Sequence, residues 1–136
     1  MRISLVVVAA LLLVNSVVSQ NWSYCSGSSG SKINVSAFTA SPWPIVKGKS
    51  AKFETKGTAN INISQRNARM DVYTGGSKIF TTSVGNSYSV GSGGAYDYIF
   101  SYTIPSFVPP GAYTITITMV DNSGNDMVCM SVNQSF

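Results

Sequence analysis

Few side chains of this 136-residue chain could act as catalysts. The chain contains no histidine, the usual general acid or base near neutral pH, so such chemistry would need a perturbed carboxylate. Because Glu54 alternates with lysines and Asp121 lies in a turn-forming sequence, we expect structural roles for both. We predict no enzyme, no catalytic residue and no cofactor. The alternative is a glycosidase that pairs two of the acidic residues, Glu54, Asp71, Asp97, Asp121 and Asp126.

Two cysteines, Cys25 and Cys129, lie far apart in the sequence and could bind a metal, react as thiols or form a disulfide. Without histidine or Cys-x-x-Cys spacing, a metal site is not expected. In an oxidising compartment an even number of cysteines favours a disulfide. In the chain-entropy model, a closed loop of about 100 residues stabilises a fold by roughly 4.7 kcal/mol.

The first 19 residues have the pattern of a secretory signal peptide. Arg2 precedes an apolar run from Leu5 to Val14, and small residues lead to a cleavage site after Ser19. A membrane anchor is the alternative, but the run is much shorter than the roughly 20 residues that a spanning helix needs. We therefore expect a signal peptide at 1–19, one soluble domain at 20–136, and a location outside the cell or in the endolysosomal lumen.

Asn-x-Ser sequons agree with this location. Each could carry an N-linked glycan in a secreted protein, and they occur at Asn21, Asn34, Asn62 and Asn133. Asn34 and Asn62 fall on the outward-facing positions of predicted strands. Glycans at these two sites would therefore not compete with the core.

Charge is sparse, since only 10% of residues are Asp, Glu, Lys or Arg, against about 25% in average globular proteins. The net charge of about +3 after loss of Arg2 is too small and too dispersed to indicate nucleic-acid binding. It would favour transient contact with an anionic membrane, as would the local excess of Lys47, Lys49, Lys52 and Lys56. The alternative role of these lysines is to protect a sheet edge.

Apolar residues beyond residue 30 recur with a period of two, which is typical of strands with one buried face. One predicted strand carries Ile61 and Ile63, and another carries Tyr96 to Ile104 before Pro105. Thr74 to Ser77 predicts a hairpin turn, whereas Tyr88 and Val90 lie in a Gly/Ser-rich connection. About eight short antiparallel strands in one domain predict an all-β, immunoglobulin-like sandwich, which we expect to be monomeric.

The strongest apolar feature is an aromatic ladder, Tyr96, Tyr98, Phe100 and Tyr102, which is predicted to face the same layer as Tyr113, Ile115 and Ile117. Ordinary core packing explains such a layer. The alternative is that part of it lines a ligand cavity between the sheets. An apolar cavity holds an acyl chain or sterol by excluding water, at about 0.8 kcal/mol per buried methylene, and needs no catalytic group.

The segment from Tyr102 to Tyr113, with its Ile-Pro-x-x-Val-Pro-Pro-Gly-x-Tyr pattern, carries a further signal. Together with the following Thr-Ile-Thr-Ile-Thr-Met, Asp121-x-x-Gly124 and Cys129, it resembles the ML-domain lipid-recognition family. That family includes the Niemann-Pick type C sterol carrier and phosphatidylglycerol/phosphatidylinositol transfer proteins, and this segment looks most like the latter. The likeness in motif begins near residue 96.

The resemblance implies a secreted sandwich whose sheets separate to admit a lipid, with an outer disulfide that matches Cys25 and Cys129. The two short-loop disulfides common in the family have no counterpart here. The implied function is phospholipid transfer between membranes, with sterol transport or an adhesion module without a cavity as alternatives. The candidate lipid-binding residues are Phe53, Ile61, Ile63, Tyr96, Tyr98, Phe100, Tyr102, Val108, Tyr113, Ile115 and Ile117.

Overall fold

The computed structural model describes residues 21–136, and the predicted signal peptide at 1–19 lies outside this range. All helix and strand structure in the range is β-strand, which confirms the all-β prediction, and no helix there could cross a membrane. The strands are β1 (Trp22–Tyr24), β2 (Ile33–Ser41), β3 (Ser50–Ala59), β4 (Ile63–Thr74), β5 (Ser77–Val84), β6 (Tyr88–Val90), β7 (Ala95–Thr103), β8 (Ala112–Asp121) and β9 (Asp126–Ser135).

These strands form two antiparallel sheets. The larger has the order β1-β9-β8-β4-β5, with β6 paired to the first residues of β4, and the smaller has the order β2-β3-β7. Burial alternates along the strands, most regularly along β7, so each sheet has one buried face. A single hydrophobic core joins the buried faces of both sheets. The predicted sandwich is confirmed.

The turn between β4 and β5 is the predicted hairpin. Thr74 pairs with Ser77, so Gly75 and Gly76 alone form the connection. Both glycines have positive φ, at 57° and 80°, which is the conformation of a type I′ turn and which a side chain would strain. The tight turn brings β5 back along β4 as the outer strand of the larger sheet.

Other details differ from the expectations. The two short strands β1 and β6 carry only three residues each, too few for an alternating pattern to be recognised. The predicted strand through Ile61 is wrong, because β3 ends at Ala59 and β4 begins at Ile63. Edge protection by the lysines of β3 is also wrong, because β3 is the central strand of its sheet.

The predicted disulfide between Cys25 and Cys129 is confirmed, with the two Cα atoms 5.3 Å apart. Cys25 N also donates a hydrogen bond to Cys129 O at 3.0 Å, and Cys129 N donates one to the Ser28 hydroxyl at 2.9 Å. The bridge closes a sequence separation of 104 residues and follows directly on the pairing of β1 with β9. It therefore fixes the first strand to the larger sheet.

Candidate functional site

Aromatic rings of the smaller sheet form one wall of the layer between the sheets. Phe53 of β3 stacks on Phe100 of β7 with ring centroids 5.0 Å apart and an interplanar angle of 10°. Tyr98 lies 6.2 Å from Phe100 and 6.4 Å from Tyr96 along β7. All four side chains are buried. The wall is a continuous row of flat rings, because alternate residues of a strand share a face.

The opposite wall comes from the larger sheet and is aliphatic. Met70 of β4, Ile117 of β8 and Met130 of β9 form one row across three strands, and all three are fully buried. Met119 lies beside the row and is also fully buried. Methionine has three rotatable side-chain bonds and adapts to irregular shapes. The layer therefore has one wall of stacked rings and one wall of deformable side chains.

Polar groups within the layer are hydrogen-bonded. The Tyr96 hydroxyl donates to the Gln65 amide oxygen, and the Gln65 amide nitrogen donates to Asn67 O and approaches Met119 Sδ. The Tyr98 hydroxyl donates to Asn86 O at 2.6 Å. Burial is the main cause that raises the pKa of Tyr96 and Tyr98, so both stay uncharged. The layer thus contains hydroxyls but no charge among these groups.

The structure places most of the candidate lipid-binding residues within this layer. Ile61 lies outside it, in the turn between β3 and β4, and is 44% exposed. Tyr102, at the end of β7, is half-buried and packs against the core. The remaining nine are buried: Phe53, Ile63, Tyr96, Tyr98, Phe100, Val108, Tyr113, Ile115 and Ile117. Their predicted contact with lipid remains a prediction.

The sequence-based selection missed several members of the layer. Phe38 of β2 is buried against Phe53, with centroids 6.5 Å apart, and Gln65 is buried beneath Tyr96. Met70, Met119 and Met130 were missed as well. The methionines could have been found, because they occupy inward positions of their strands. Phe38 could not, because a β-bulge between Val35 and Ala37 shifts the alternation of β2 and turns Phe38 inward. Gln65 could not, since a buried amide has the sequence pattern of a solvent-facing one.

A broad depression lies on the other side of the larger sheet. It has a volume of about 1020 Å³ and is lined by outward-facing residues of β4, β8 and β9, including Thr116, Thr118 and Asn133. A second depression of about 160 Å³ lies near Ile61 and Asp121. Neither is lined by the aromatic residues of β3 and β7. Because Phe53, Met70 and Ile117 expose none of their surface, the interior layer is packed by its own side chains, and the two depressions belong to the surface.

Two of the acidic residues, Asp71 and Asp126, lie in the large depression, and each forms an ion pair with Arg69. Arg69 Nε lies 3.2 Å from an Asp71 carboxylate oxygen, and Arg69 Nη1 lies 3.1 Å from one of Asp126. Burial alone would raise the pKa of Asp71, but hydrogen bonds from Thr81 and Arg69 and the charge of Lys78 outweigh it and lower the pKa. A glycosidase needs one carboxyl group with a raised pKa as its acid. Asp71, whose pKa is lowered, does not have that property.

The remaining predicted sites concern metals and glycans. Within residues 21–136, no group of three or more Asp, Glu or Cys side chains is arranged to hold a metal ion. The sequon residues Asn21, Asn34, Asn62 and Asn133 are all exposed. Asn62 accepts a hydrogen bond from Ser92 N, and Asn133 accepts one from the Thr114 hydroxyl. Glycosylation at these four sites stays a prediction.

Known proteins similar to this chain share its fold and identify its family. The family model of the ML domain matches residues 19–136. Two Dictyostelium discoideum proteins named as phosphatidylglycerol/phosphatidylinositol transfer proteins are similar. One is 26% identical over 128 residues, covering 89% of this chain and 86% of the relative, and the other is 25% identical over 129 residues, covering 90% and 89%.

Solved structures agree with this fold. The Niemann-Pick type C2 protein of the Japanese carpenter ant superposes with a TM-score of 0.69 at 11% identity, over 85% of this chain and 98% of that chain. Chicken MD-1, solved in complex with lipid IVa, superposes with a TM-score of 0.59 at 14% identity, over 85% and 88%. Because the family model covers all of residues 20–136, the chain belongs to the ML-domain lipid-recognition family.

Proposed function

We propose that this protein binds a membrane lipid between its two sheets and transfers it between membranes, with phospholipids such as phosphatidylglycerol or phosphatidylinositol as its ligands. The observation that carries the proposal is the interior layer, which is mainly apolar and is bounded by stacked rings on one side and methionines on the other. We also propose that the protein is secreted or resides in the endolysosomal lumen, in agreement with its disulfide.

The layer is closed in this structure, so a lipid must displace side chains from one another. Backbone contacts between the sheets are concentrated at the margins of the sandwich, where β2 approaches β9 and where β5 and β6 approach β7. In the proposed binding step, the central strands β3 and β8 move apart while the margins hold. Each methylene of an entering acyl chain gains about 0.8 kcal/mol by leaving water, which offsets the packing energy that the two walls give up as they separate.

The two walls would serve different purposes in this process. Rings such as Phe53 and Phe100 are stiff and offer flat apolar surface. Met70, Met119 and Met130 can change rotamer to follow the shape of an acyl chain. The candidate lipid-binding residues therefore comprise the nine buried ones selected from sequence, together with these methionines.

The choice of phospholipids as the proposed ligands rests on the names of two similar proteins. Both Dictyostelium proteins have names that specify phosphatidylglycerol/phosphatidylinositol transfer, and both align over most of their length at 25–26% identity. The proposed transfer also requires transient contact with a membrane. Lipid transfer by a monomer needs no enzymatic step and therefore no catalytic carboxylate. The proposal is compatible with Asp71 and Asp126 serving as ion-pair partners of Arg69.

The test is native mass spectrometry of the secreted protein, combined with transfer of fluorescent phosphatidylglycerol and phosphatidylinositol between vesicles. We expect a copurifying phospholipid and transfer of both. A variant with Ile117→Phe fills the interior layer and should lose both properties. Thr116→Phe is the matched control, because it places the same ring on the outer face of β8 and should keep them.

Three results would contradict the proposal. A protein without lipid that transfers none would favour the adhesion module with a packed core. Displacement of bound lipid by sterol alone would favour sterol transport. Equal loss in Thr116→Phe and Ile117→Phe would place the lipid outside the interior layer. Unfolding curves of both variants would show whether the fold is kept.

A further inference from the structure

The largest exposed apolar side chain in the described residues is Phe107, with 84% of its surface exposed. The other large exposed apolar residues are much less exposed, at 42–49%: Val46, Ile61, Ile79 and Ile99. An isolated exposed aromatic ring of this size is unfavourable in water and commonly marks a contact surface. Phe107 lies in the loop between β7 and β8, at one end of the sandwich.

The backbone around Phe107 is anchored, so its exposure does not come from a loose segment. Ile104 and Val108, on either side of it, are buried. Val108 N donates to Pro105 O at 3.2 Å, which closes a turn with Phe107 near its tip. The Tyr113 hydroxyl donates to Pro109 O at 2.6 Å beyond the turn. The fold therefore holds the ring of Phe107 outward.

The loop between β2 and β3 lies directly beside this turn. Gly48 N donates to Ile104 O at 2.7 Å, and Lys47 Nζ donates to Val108 O at 2.6 Å. Lys49 N donates to Val46 O, which closes a turn in which Gly48 has a φ of +77°. The side-chain amide of Gln134 accepts a hydrogen bond from the backbone N of the buried Ile45 and donates one to its backbone O. Val46 is thus presented beside the Phe107 turn on an equally anchored loop.

The charged side chains within these loops have one sign. Residues 42–50 and 104–112 contain Lys47 and Lys49 but no Asp or Glu, and Lys52 follows at the start of β3. Lys49 and Lys52 are exposed and have no ion pair among those found in the described residues. Lysines around an exposed apolar ring complement a surface that is anionic outside and apolar beneath. An anionic lipid bilayer has this structure.

We propose that the two adjoining loops, residues 42–50 and 104–112, form a membrane-docking tip. Phe107 enters the boundary between headgroups and acyl chains, Val46 packs at its margin, and Lys49 and Lys52 contact anionic headgroups. Lys47 holds the two loops together through Val108 O. The proposal rests on the proposed lipid transfer for its biological purpose, but vesicle binding can be measured without any transfer.

Binding to phosphatidylcholine vesicles with and without phosphatidylglycerol tests the docking tip, by flotation of the full secreted protein. Phe107→Ser should weaken binding about tenfold on the anionic vesicles. The matched control Ile99→Ser removes an exposed apolar side chain of β7 that lies outside both loops, and should bind as the unaltered protein does. Equal binding by Phe107→Ser and the unaltered protein would overturn the proposal, and so would an equal loss in Ile99→Ser.

Charge variants test the lysines separately. Lys49→Gln and Lys52→Gln should each weaken binding about fivefold on vesicles with phosphatidylglycerol and leave binding to pure phosphatidylcholine unchanged. Lys56→Gln makes the same change in net charge at an exposed lysine that lies further along β3, next to Glu54, and serves as the control. Equal effects of all three variants would mean that net charge alone acts, and would contradict a defined tip.

A variant with Phe107→Trp gives a direct reading of depth. It is made in a Trp43→Phe background, because Trp43 itself lies in residues 42–50 of the proposed tip. We expect its fluorescence to be quenched by brominated phosphatidylglycerol more strongly than that of Trp43→Phe alone, which keeps Trp22. No added quenching would overturn the insertion of residue 107. If the protein binds vesicles through Phe107 but carries no lipid, the docking tip is supported and the carrier function is contradicted. If the protein carries lipid but Phe107→Ser binds vesicles normally, the carrier function is supported and the docking tip is contradicted.

Discussion

The two faces of the larger sheet are built from alternate residues of the same strands, yet they differ completely in chemistry. Met70 and Ile117 face inward and are fully buried, whereas their neighbours Arg69 and Thr116 line the outer depression. The inner face carries no charge in β8, and the outer face carries the ion pairs of Arg69 with Asp71 and Asp126. The strand period of two thus separates a layer suited to lipid from a surface suited to water.

The largest stability effect should come from the disulfide, which joins Cys25, next to β1, to Cys129 at an outward position of β9. Replacing both Cys25 and Cys129 by serine should lower the free energy of unfolding by roughly 4 kcal/mol, because it frees a long loop in the unfolded chain. Urea unfolding of the variant and the oxidised protein measures the difference. A loss below about 1 kcal/mol would contradict this role, because the bridge would then restrict the unfolded chain too little to matter for stability.

The next effect compares the two faces on a single strand. Ile117→Ala should lower the free energy of unfolding by about 3 kcal/mol, because it removes buried methyl groups and leaves a cavity. Thr116→Ala, one residue away on the outer face, should change it by less than about 0.5 kcal/mol. Urea unfolding of both variants gives the values. Similar losses in both would contradict the contrast between the faces.

A smaller effect concerns the polar pair within the interior layer. Tyr96→Phe keeps the ring but leaves the buried Gln65 oxygen without its donor, which should cost about 1–2 kcal/mol of unfolding free energy. Tyr102→Phe is the control, because Tyr102 is only half-buried. Thermal and urea unfolding would show the difference. An unchanged stability for Tyr96→Phe would mean that water reaches Gln65.

The smallest effect belongs to the outer ion pairs and depends on pH. Asp71→Asn should cost about 1 kcal/mol at neutral pH, since it weakens the contacts with Arg69 and Lys78. The folded-state pKa of Asp71 lies below the unfolded value of about 3.9. Its contribution is therefore complete above that value and is lost as the pH falls through the folded pKa. Unfolding at several acidic pH values should show a weaker acid dependence in Asp71→Asn, and an identical dependence would contradict this role.

The fold could be predicted from sequence where alternation was long and turns were specific. The residues from Tyr96 to Phe100 and the Gly75-Gly76 hairpin carried such patterns, and both are confirmed. The strands Trp22–Tyr24 and Tyr88–Val90 could not be predicted, because three residues carry no period and their pairing depends on distant partners. Ile61 had the right spacing for a strand, but the chain turns at that point.

The candidate site was predicted in part, for a similar reason. Phe53, Tyr98 and Ile117 were selected because alternation shows which residues face inward, and all three lie in the interior layer. Alternation does not show which inward residues face each other across the sheets, so the Tyr96–Gln65 pair was missed. Phe107 was not selected as a site residue, because its exposure depends on how two loops pack together.

Photocrosslinking can show directly on which face of the larger sheet the lipid lies. Phosphatidylglycerol with a photoactivatable group in its acyl chain would be loaded into the full secreted protein, irradiated and mapped by mass spectrometry. We predict crosslinks to interior residues, led by Met70, Tyr98 and Ile117. Crosslinks confined to the outer depression, at residues such as Thr116 and Asn133, would contradict the central claim that the lipid lies between the sheets.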